Sequence, residues 1–305
     1  MSTDPIPLPQ SANVQTTDKR GIWLVAGSAL AWSFGGTIDR FIDAPDTWTV
    51  VFWRSLWAAS FLVAFLLIRD GRKTPLAFKA MGLPGLVVAL CFMTASISFV
   101  LAISYTSVAN VILINAAVPL VAALISRVFL GEKISGTTWM AIAAVIAGVA
   151  IMVSDSFGEQ KSMIGNLLAL LITFVFAIAT VVTRRNSGIR MTPAVIVATT
   201  LATLIAATQT STFHVSAHDM AWLFAFGALN LGLGMALFVT GARLIPATLA
   251  ALLGTIETVL SPVWVWLIHG EKTSQMTVIG GTIVLIALIF YLVVGTRSPA
   301  SKAKK

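Results

Sequence analysis

The sequence predicts an all-α integral membrane protein in which ten transmembrane helices form two inverted five-helix repeats. Three observations carry this prediction: a succession of membrane-length apolar runs, basic residues confined to alternate loops, and one phrase that occurs twice. The 305-residue chain is 57% hydrophobic and 10% charged, with a mean hydropathy of +0.92. An ordinary soluble domain carries about 25% charged residues. Apolar runs of roughly 18 to 23 residues match the ~20 residues needed to cross a ~30 Å hydrocarbon core. The predicted spans are 22–39, 48–68, 83–104, 108–130, 136–154, 163–183, 193–213, 219–241, 247–268 and 276–295.

The first span follows Lys19 and Arg20. It is long and no clean cleavage site follows it, so it reads as a retained helix and not as a signal peptide. Residues 1–20, with Pro5, Pro7 and Pro9, read as a disordered cytoplasmic tail. Residues 296–305, ending in Lys302, Lys304 and Lys305, form a basic cytoplasmic tail. Cys91 is the only cysteine, which excludes an intrachain disulfide.

The net charge of +8 does not indicate nucleic acid here, because the basic residues occupy short loops and tails and set orientation. Lys19 and Arg20 precede span one. Arg69, Arg72, Lys73 and Lys79 separate spans two and three, and Arg184, Arg185 and Arg190 separate six and seven. Arg243 follows span eight and the lysine-rich tail follows span ten. With ten spans all of these share one side, whereas nine or eleven would break the alternation. The opposite loops, Asp43-Ala44-Pro45-Asp46, Asp155-Ser156-Phe157-Gly158-Glu159 and His214 through Asp219, are poor in Lys and Arg. The expectation is a multi-pass membrane protein with both termini cytoplasmic.

The phrase Gly131-Glu132-Lys133-Ile134-Ser135 returns as Gly270-Glu271-Lys272-Thr273-Ser274, 139 positions later. About five crossings separate the copies, so they fall on opposite membrane faces, as in an inverted repeat. That plan is common among secondary transporters. The predicted division is 21–155 and 156–295. Spans one (Ala29-Leu30-Ala31-Trp32-Ser33-Phe34) and six (Leu171-Ile172-Thr173-Phe174-Val175-Phe176) place aromatics at corresponding depth.

With the ten-span layout, the two Gly-Glu-Lys signatures closing spans four and nine, Arg54 in span two, and Glu257 with Pro262 in span nine, the chain resembles the EamA-type members of the drug/metabolite transporter superfamily. The likeness covers essentially all of residues 21–295 and extends to the YddG-type amino-acid exporters of bacterial inner membranes. The resemblance implies a basket of helices around a central cavity, cavity-facing positions at Trp32, Ser33 and Phe176, and efflux of aromatic and other uncharged-side-chain amino acids.

Polar groups at hydrocarbon depth are costly and are candidates for function. Arg54, two turns into span two, either attracts a substrate carboxylate or serves a structural ion pair, or snorkels outward. Glu257 either couples transport to protons or makes a helix-to-helix hydrogen bond before the Ser261-Pro262 break. Asn115 precedes Pro119, where freed backbone groups can serve a cavity, although amides also join helices. Asn230 has the same two readings, and Asn110 near the outer end of span four is less informative. Nine Trp and seventeen Phe are present, with two Tyr. Trp48 and Trp222 fit interfacial belts. Trp32, Phe34, Phe174 and Phe176 lie deeper, where they pack on a substrate side chain or on neighbouring helices. Asp39 and Arg40 fit the outer interface. Ala144 with Gly148, and Gly227, Gly232 and Gly234, read as close-packing positions.

No phosphate-binding loop, nucleophile elbow or paired-carboxylate motif is present, which points away from an enzyme and from any cofactor. His214, His218 and Asp219 lack a convincing fourth ligand, so no metal is expected. The expected partners are a small-molecule substrate and the lipid bilayer, with possible proton coupling and no obligate protein partner. The candidate substrate-binding set is Trp32, Ser33, Asn115, Phe174, Phe176, Glu257 and Arg54. The alternatives are an EamA-type carrier of another cargo (an organic cation or drug, a nucleoside or a sugar derivative) and an integral-membrane lipid enzyme.

Overall fold

The computed structural model describes residues 19–130, 136–154, 160–186, 188–241, 244 and 247–294. The first Gly-Glu-Lys phrase at 131–135, the loop 155–159, Arg243 and both predicted tails lie outside these residues, apart from Lys19 and Arg20. Every described element is helical. The helices run α1 (Lys19–Ser33), α2 (Gly35–Asp39), α3 (Thr47–Asp70), α4 (Thr74–Tyr105), α5 (Val108–Asn115), α6 (Val118–Leu130), α7 (Gly136–Ser154), α8 (Gln160–Arg185), α9 (Thr192–Gln209) and α10 (Ala217–Phe224). A π-helical stretch (Ala225–Leu233) then leads into α11 (Gly234–Gly241), followed by α12 (Ala247–His269) and α13 (Gln275–Val294).

Among the described residues six helices are long and apolar enough to cross a membrane: Lys19–Asp39, Thr47–Tyr105, Val108–Phe129, Ser162–Thr183, Thr192–Gln209 and Ala217–Gly241. Trp139–Ile151, Ile256–His269 and Gln275–Ala287 are shorter apolar helices. Their outer faces carry large exposed apolar side chains such as Ile68, Phe129 and Trp266. In water such a surface would be a liability; in lipid it is the solvated face.

The helix starts follow from side-chain caps, which satisfy amide groups that a helix leaves unpaired. Asp46 accepts from the Thr49 amide (2.9 Å) at α3, Ser107 from Asn110 (3.2 Å) at α5, Ser216 from Asp219 (3.0 Å) at α10 and Ser274 from Thr277 (3.1 Å) before α13. Within α4, Gly82 adopts φ 52°, a left-handed conformation that favours glycine, and the chain re-enters the helix at Pro84. The predicted span 83–104 is therefore the second part of α4, and a short helical turn lies across its basic end.

Two layers of contact build the core. Helix α4 packs on α8 and α9, α3 packs on α9 and on the π-helical stretch, and α1 packs on α11 and α12. Helices α5 and α6 lie against α8, and α7 pairs with α13. Fully buried Leu62, Leu66, Val88 and Ala194 fill the centre of the α3/α4/α9 contact. At α7/α13 a Cβ on Gly148 would come to 2.7 Å of the Gly280 carbonyl oxygen, so the backbones meet directly at the small-residue pair.

Replacing Gly148 with Ile overpacks this contact at a cost of about 1–3 kcal/mol, and lowers the thermal midpoint of the detergent-purified protein. At Asp46 partial burial alone would raise the carboxyl. Hydrogen bonds from Ser211 and Thr49 outweigh it and hold Asp46 below the usual carboxylate range. A depressed folded-state value means that this stabilisation is present at neutral pH and is lost as pH falls below about 4, the unfolded carboxylate value. Asp46→Ala removes the cap, costing about 0.5–2 kcal/mol at neutral pH. The thermal midpoints of wild type and variant converge in acid.

Candidate functional site

The site is built where long helices are interrupted. Helix α1 ends at Ser33 and α2 begins at Gly35, which frees carbonyls inside an apolar environment. Each such group needs a partner, since lipid supplies none. Asn230, in the π-helical stretch, donates its Nδ2 to the carbonyls of Ala31 (2.6 Å) and Trp32 (3.3 Å). The π-helical bulge turns Asn230 toward α1, a use of π geometry common at functional positions. Gly35 abuts the same amide, and Gly234 lies directly under the Trp32 indole, where any Cβ would clash.

Ser33 is fully buried, and its hydroxyl accepts from Trp264 Nε1 (3.2 Å) of α12. Phe34 stacks on the same Trp264 ring at 5.2 Å and 11°. Trp32 turns the other way and meets Phe238 at 5.3 Å. Span one is thus held from both sides, by α11 through Trp32 and by α12 through Ser33 and Phe34.

A second interruption falls between α5 and α6, at Asn115 to Ala117 just before Pro119. Thr173 of α8 donates toward Ala169 O (2.9 Å), Asn115 Oδ1 (3.0 Å) and Ile114 O (3.3 Å). One turn along α8, Phe176 meets Phe92 edge to face at 5.2 Å. Trp32 and Phe176 both border the apolar cluster that contains Phe92, Leu231 and Met235. The structure therefore gathers Trp32, Ser33, Asn115 and Phe176 around the two breaks. Phe174 is not among them. It is 51% exposed in a row with Ile164, Leu167 and Leu171 on the opposite side of α8 from Phe176.

Arg54 is 5% exposed, so it does not snorkel, and no carboxylate lies within ion-pair distance among the described residues. Its Nη1 donates to Ser96 Oγ (3.0 Å), and its guanidinium lies over the rings of Phe226 (4.4 Å) and Phe99 (5.5 Å). The Nε is buried without an acceptor among the described residues. A guanidinium held this way is desolvated by aromatic faces and keeps one donor unused.

Glu257 lies on α12 two turns before Trp264 and on the same face, about 10 Å along the axis. It is half-buried, and no hydrogen bond or ion pair reaches its carboxyl among the described residues. A Cβ on Gly254, one turn earlier, would meet nothing within 4 Å, so this face of α12 borders open space. The hydrogen bond to another helix expected as one reading of Glu257 is not made among the described residues.

The sequence reading missed Trp264 and the partners of Asn110 and Arg40. Trp264 carried no signal beyond its place two residues after Pro262. Asn110 is buried and takes part in a knot with Thr106, Asn166 and Thr277. Arg40 pairs with Glu271 of the second Gly-Glu-Lys phrase at 3.1 Å. No cluster of three or more His, Cys, Asp or Glu residues able to hold a metal occurs among the described residues.

Comparison with known proteins identifies the family. Two curated relatives, the pseudopaline exporters CntI of Pseudomonas aeruginosa strains UCBPP-PA14 and PAO1, are each 27% identical over 277 residues, covering 89% of this chain and 95% of their own. A solved crystal structure of a protein 16% identical in sequence superimposes with a TM-score of 0.65, covering 90% of this chain and 97% of its own, and shares the fold. The EamA-like transporter family model matches twice, over residues 19–154 and again over 163–293. The chain is therefore a multi-pass membrane transporter of the EamA-like transporter family, within the drug/metabolite transporter superfamily.

Proposed function

We propose that this chain is a secondary exporter of the bacterial inner membrane. It carries small metabolites, foremost aromatic and other uncharged amino acids, by alternating access. The single observation behind the mechanism is a pair of matching contacts. Ser33 of α1 meets Trp264 of the proline-containing α12, and Thr173 of α8 meets Asn115 beside Pro119. Ser33 and Thr173 stand 140 positions apart, close to the 139-position offset of the two Gly-Glu-Lys phrases. Each contact joins the opening span of one half to the proline-containing span of the other.

The packing follows the same exchange of halves. Helix α1 lies on the π-helical stretch with α11 and on α12, while α8 lies on α4 and on α5 with α6. The family model matching once per half supports the same reading. The 59-residue stretch Thr47–Tyr105 would be about 90 Å long if straight, three bilayer cores. It instead folds at Gly71 with α3 against α4, so it is two crossings. Together with the three shorter apolar helices this supports ten crossings in two inverted repeats, 21–155 and 156–295. Both termini then lie in the cytoplasm, on the basic side. Two such halves have two near-equivalent packings, whose exchange opens a midplane site to either side.

The cargo reading rests on Trp32, Phe176 and Asn115 around the breaks, with Arg54 as cation and Glu257 as anion within the spans. The name of the CntI relatives, pseudopaline exporter, supports outward movement of a small molecule. Counterflow in vesicles containing the purified protein tests the reading: a labelled aromatic amino acid exchanges saturably and is competed by other uncharged amino acids. If organic cations, nucleosides or sugars compete and no amino acid does, the cargo is one of those classes. Linear flux would mark a pore. Trp32→Ala raises the half-saturation concentration for an aromatic cargo about two- to tenfold, the worth of one aromatic pair. Glu257→Gln slows exchange and flattens its pH dependence, and unchanged flux with unchanged pH dependence would sink the proton-coupled form of the proposal.

A further inference from the structure

The end of the bundle opposite the basic loops is closed by contacts that run between the two halves. Arg40, just past α2, donates its Nε to Glu271 Oε2 (3.1 Å) and its Nη1 to the Ile103 carbonyl (3.1 Å) of α4. The other Glu271 oxygen accepts from the Val108 amide (3.3 Å) at the start of α5. His269 donates its Nε2 to the Thr37 carbonyl (3.0 Å), and Phe41 is sandwiched by Trp222 (4.4 Å, stacked) and His269 (4.5 Å, edge-on). The Asp43 amide donates to Asp219 (3.0 Å). Beneath these contacts Thr37 is buried with a hydroxyl that has no partner among the described residues.

Glu271 is the hub. One carboxylate holds a guanidinium from one helix end and the exposed amide of another, and both of those belong to the first half while Glu271 belongs to the second. Alternating access separates the halves at this end, so these bonds must part in each cycle. The charged side chains are 28% and 26% exposed, wet enough for the pair to exchange partners.

Beside the pair lies a cavity of about 230 Å³, with Asp39, Arg40, Asp46 and Ser104 on its wall. Arg40 therefore faces Glu271 on one side and the cavity on the other, and its Nη2 has no acceptor among the described residues. On the cavity side its Nη1 lies 3.7 Å from Asp39, so the guanidinium stands between Glu271 and Asp39, and this pairing of charges complements a zwitterion.

We propose that the Arg40–Glu271 pair is the extracytoplasmic gate of this carrier, and that the adjoining cavity is an exit subsite for a zwitterionic amino acid. The substrate carboxylate competes there with Glu271 for the Arg40 guanidinium, so an occupied subsite loosens the gate. The proposal rests on the transport reading and on the orientation given above.

The single native cysteine allows a direct test on the full chain. In a Cys91→Ser background, Thr37→Cys reports whether a membrane-impermeant thiol reagent applied from outside passes the gate. With Glu271 intact the position is protected. Adding Glu271→Gln speeds labelling by about fivefold, the population shift expected from loss of a partly exposed ion pair. Phenylalanine applied outside speeds labelling of the chain with Glu271 intact. Phenethylamine, which lacks the carboxylate, does not, and Ser104→Phe, which fills the cavity, removes the effect. Equal labelling with Glu271 and Gln at position 271 would overturn the gate, and equal labelling with phenylalanine, phenethylamine or neither would overturn the subsite. Counterflow by the Thr37→Cys chain separates the two levels: exchange without these labelling changes rejects only the gate and subsite, whereas no amino-acid exchange rejects the transport reading itself.

Discussion

Everything at the centre of this protein follows from the rule that a backbone polar group in the bilayer must find its partner within the protein. A continuous helix obeys it automatically. The breaks at Ser33–Gly35 and Asn115–Ala117 do not: at the first a side chain from another span supplies the donor, and at the second the Ile114 carbonyl accepts from the Ala117 amide with the Thr173 hydroxyl beside it. Asn230 reaches the Ala31 and Trp32 carbonyls, and Thr173 reaches the Ile114 carbonyl and the Asn115 amide. The broken helices are also the places where polar groups sit at membrane depth, so satisfying the backbone and building a polar site are one operation.

Close approach makes those hydrogen bonds possible. Gly227 lies against the Arg54 carbonyl and the Trp57 side chain, and Gly234 lies under Trp32. Larger residues at either position would push the π-helical stretch away from α1 and α3, and Asn230 with it. Small residues in these spans therefore set the reach of the polar ones. The two charges within the spans are handled differently. Arg54 is enclosed by Ser96, Phe99 and Phe226, while Glu257 makes no hydrogen bond or ion pair among the described residues. Both are expensive to keep, and neither is needed to hold two helices together by an ion pair.

Family membership and geometry answer separate questions. The family model, matching once in each half, makes the chain a transporter. What it carries is a separate matter, and relatives at 27% identity do not determine it.

The sequence by itself determined which segments are helical and apolar, with boundaries within a few residues of those observed, as for 136–154 and 247–268 against helices at 136–154 and 247–269, although not the break inside 108–130. It did so because hydropathy and chain length are local quantities, and because Asp46, Ser107, Ser216 and Ser274 cap helices through their immediate neighbours. It also marked Trp32, Ser33, Asn115 and Phe176, which the structure gathers near the breaks. Only the tertiary structure separated Phe174 from Phe176, since two positions on one helix differ in surroundings only once a neighbour packs on one face. Likewise only the tertiary structure joined Ser33 to Trp264 and Arg40 to Glu271, each pair 231 positions apart. Such partners are chosen by how whole helices pack, a property that no local window of residues contains. The second Gly-Glu-Lys phrase gained its meaning in the same way: Glu271 reads as a loop carboxylate until folding brings Arg40 and the amide of Val108 to its two oxygens.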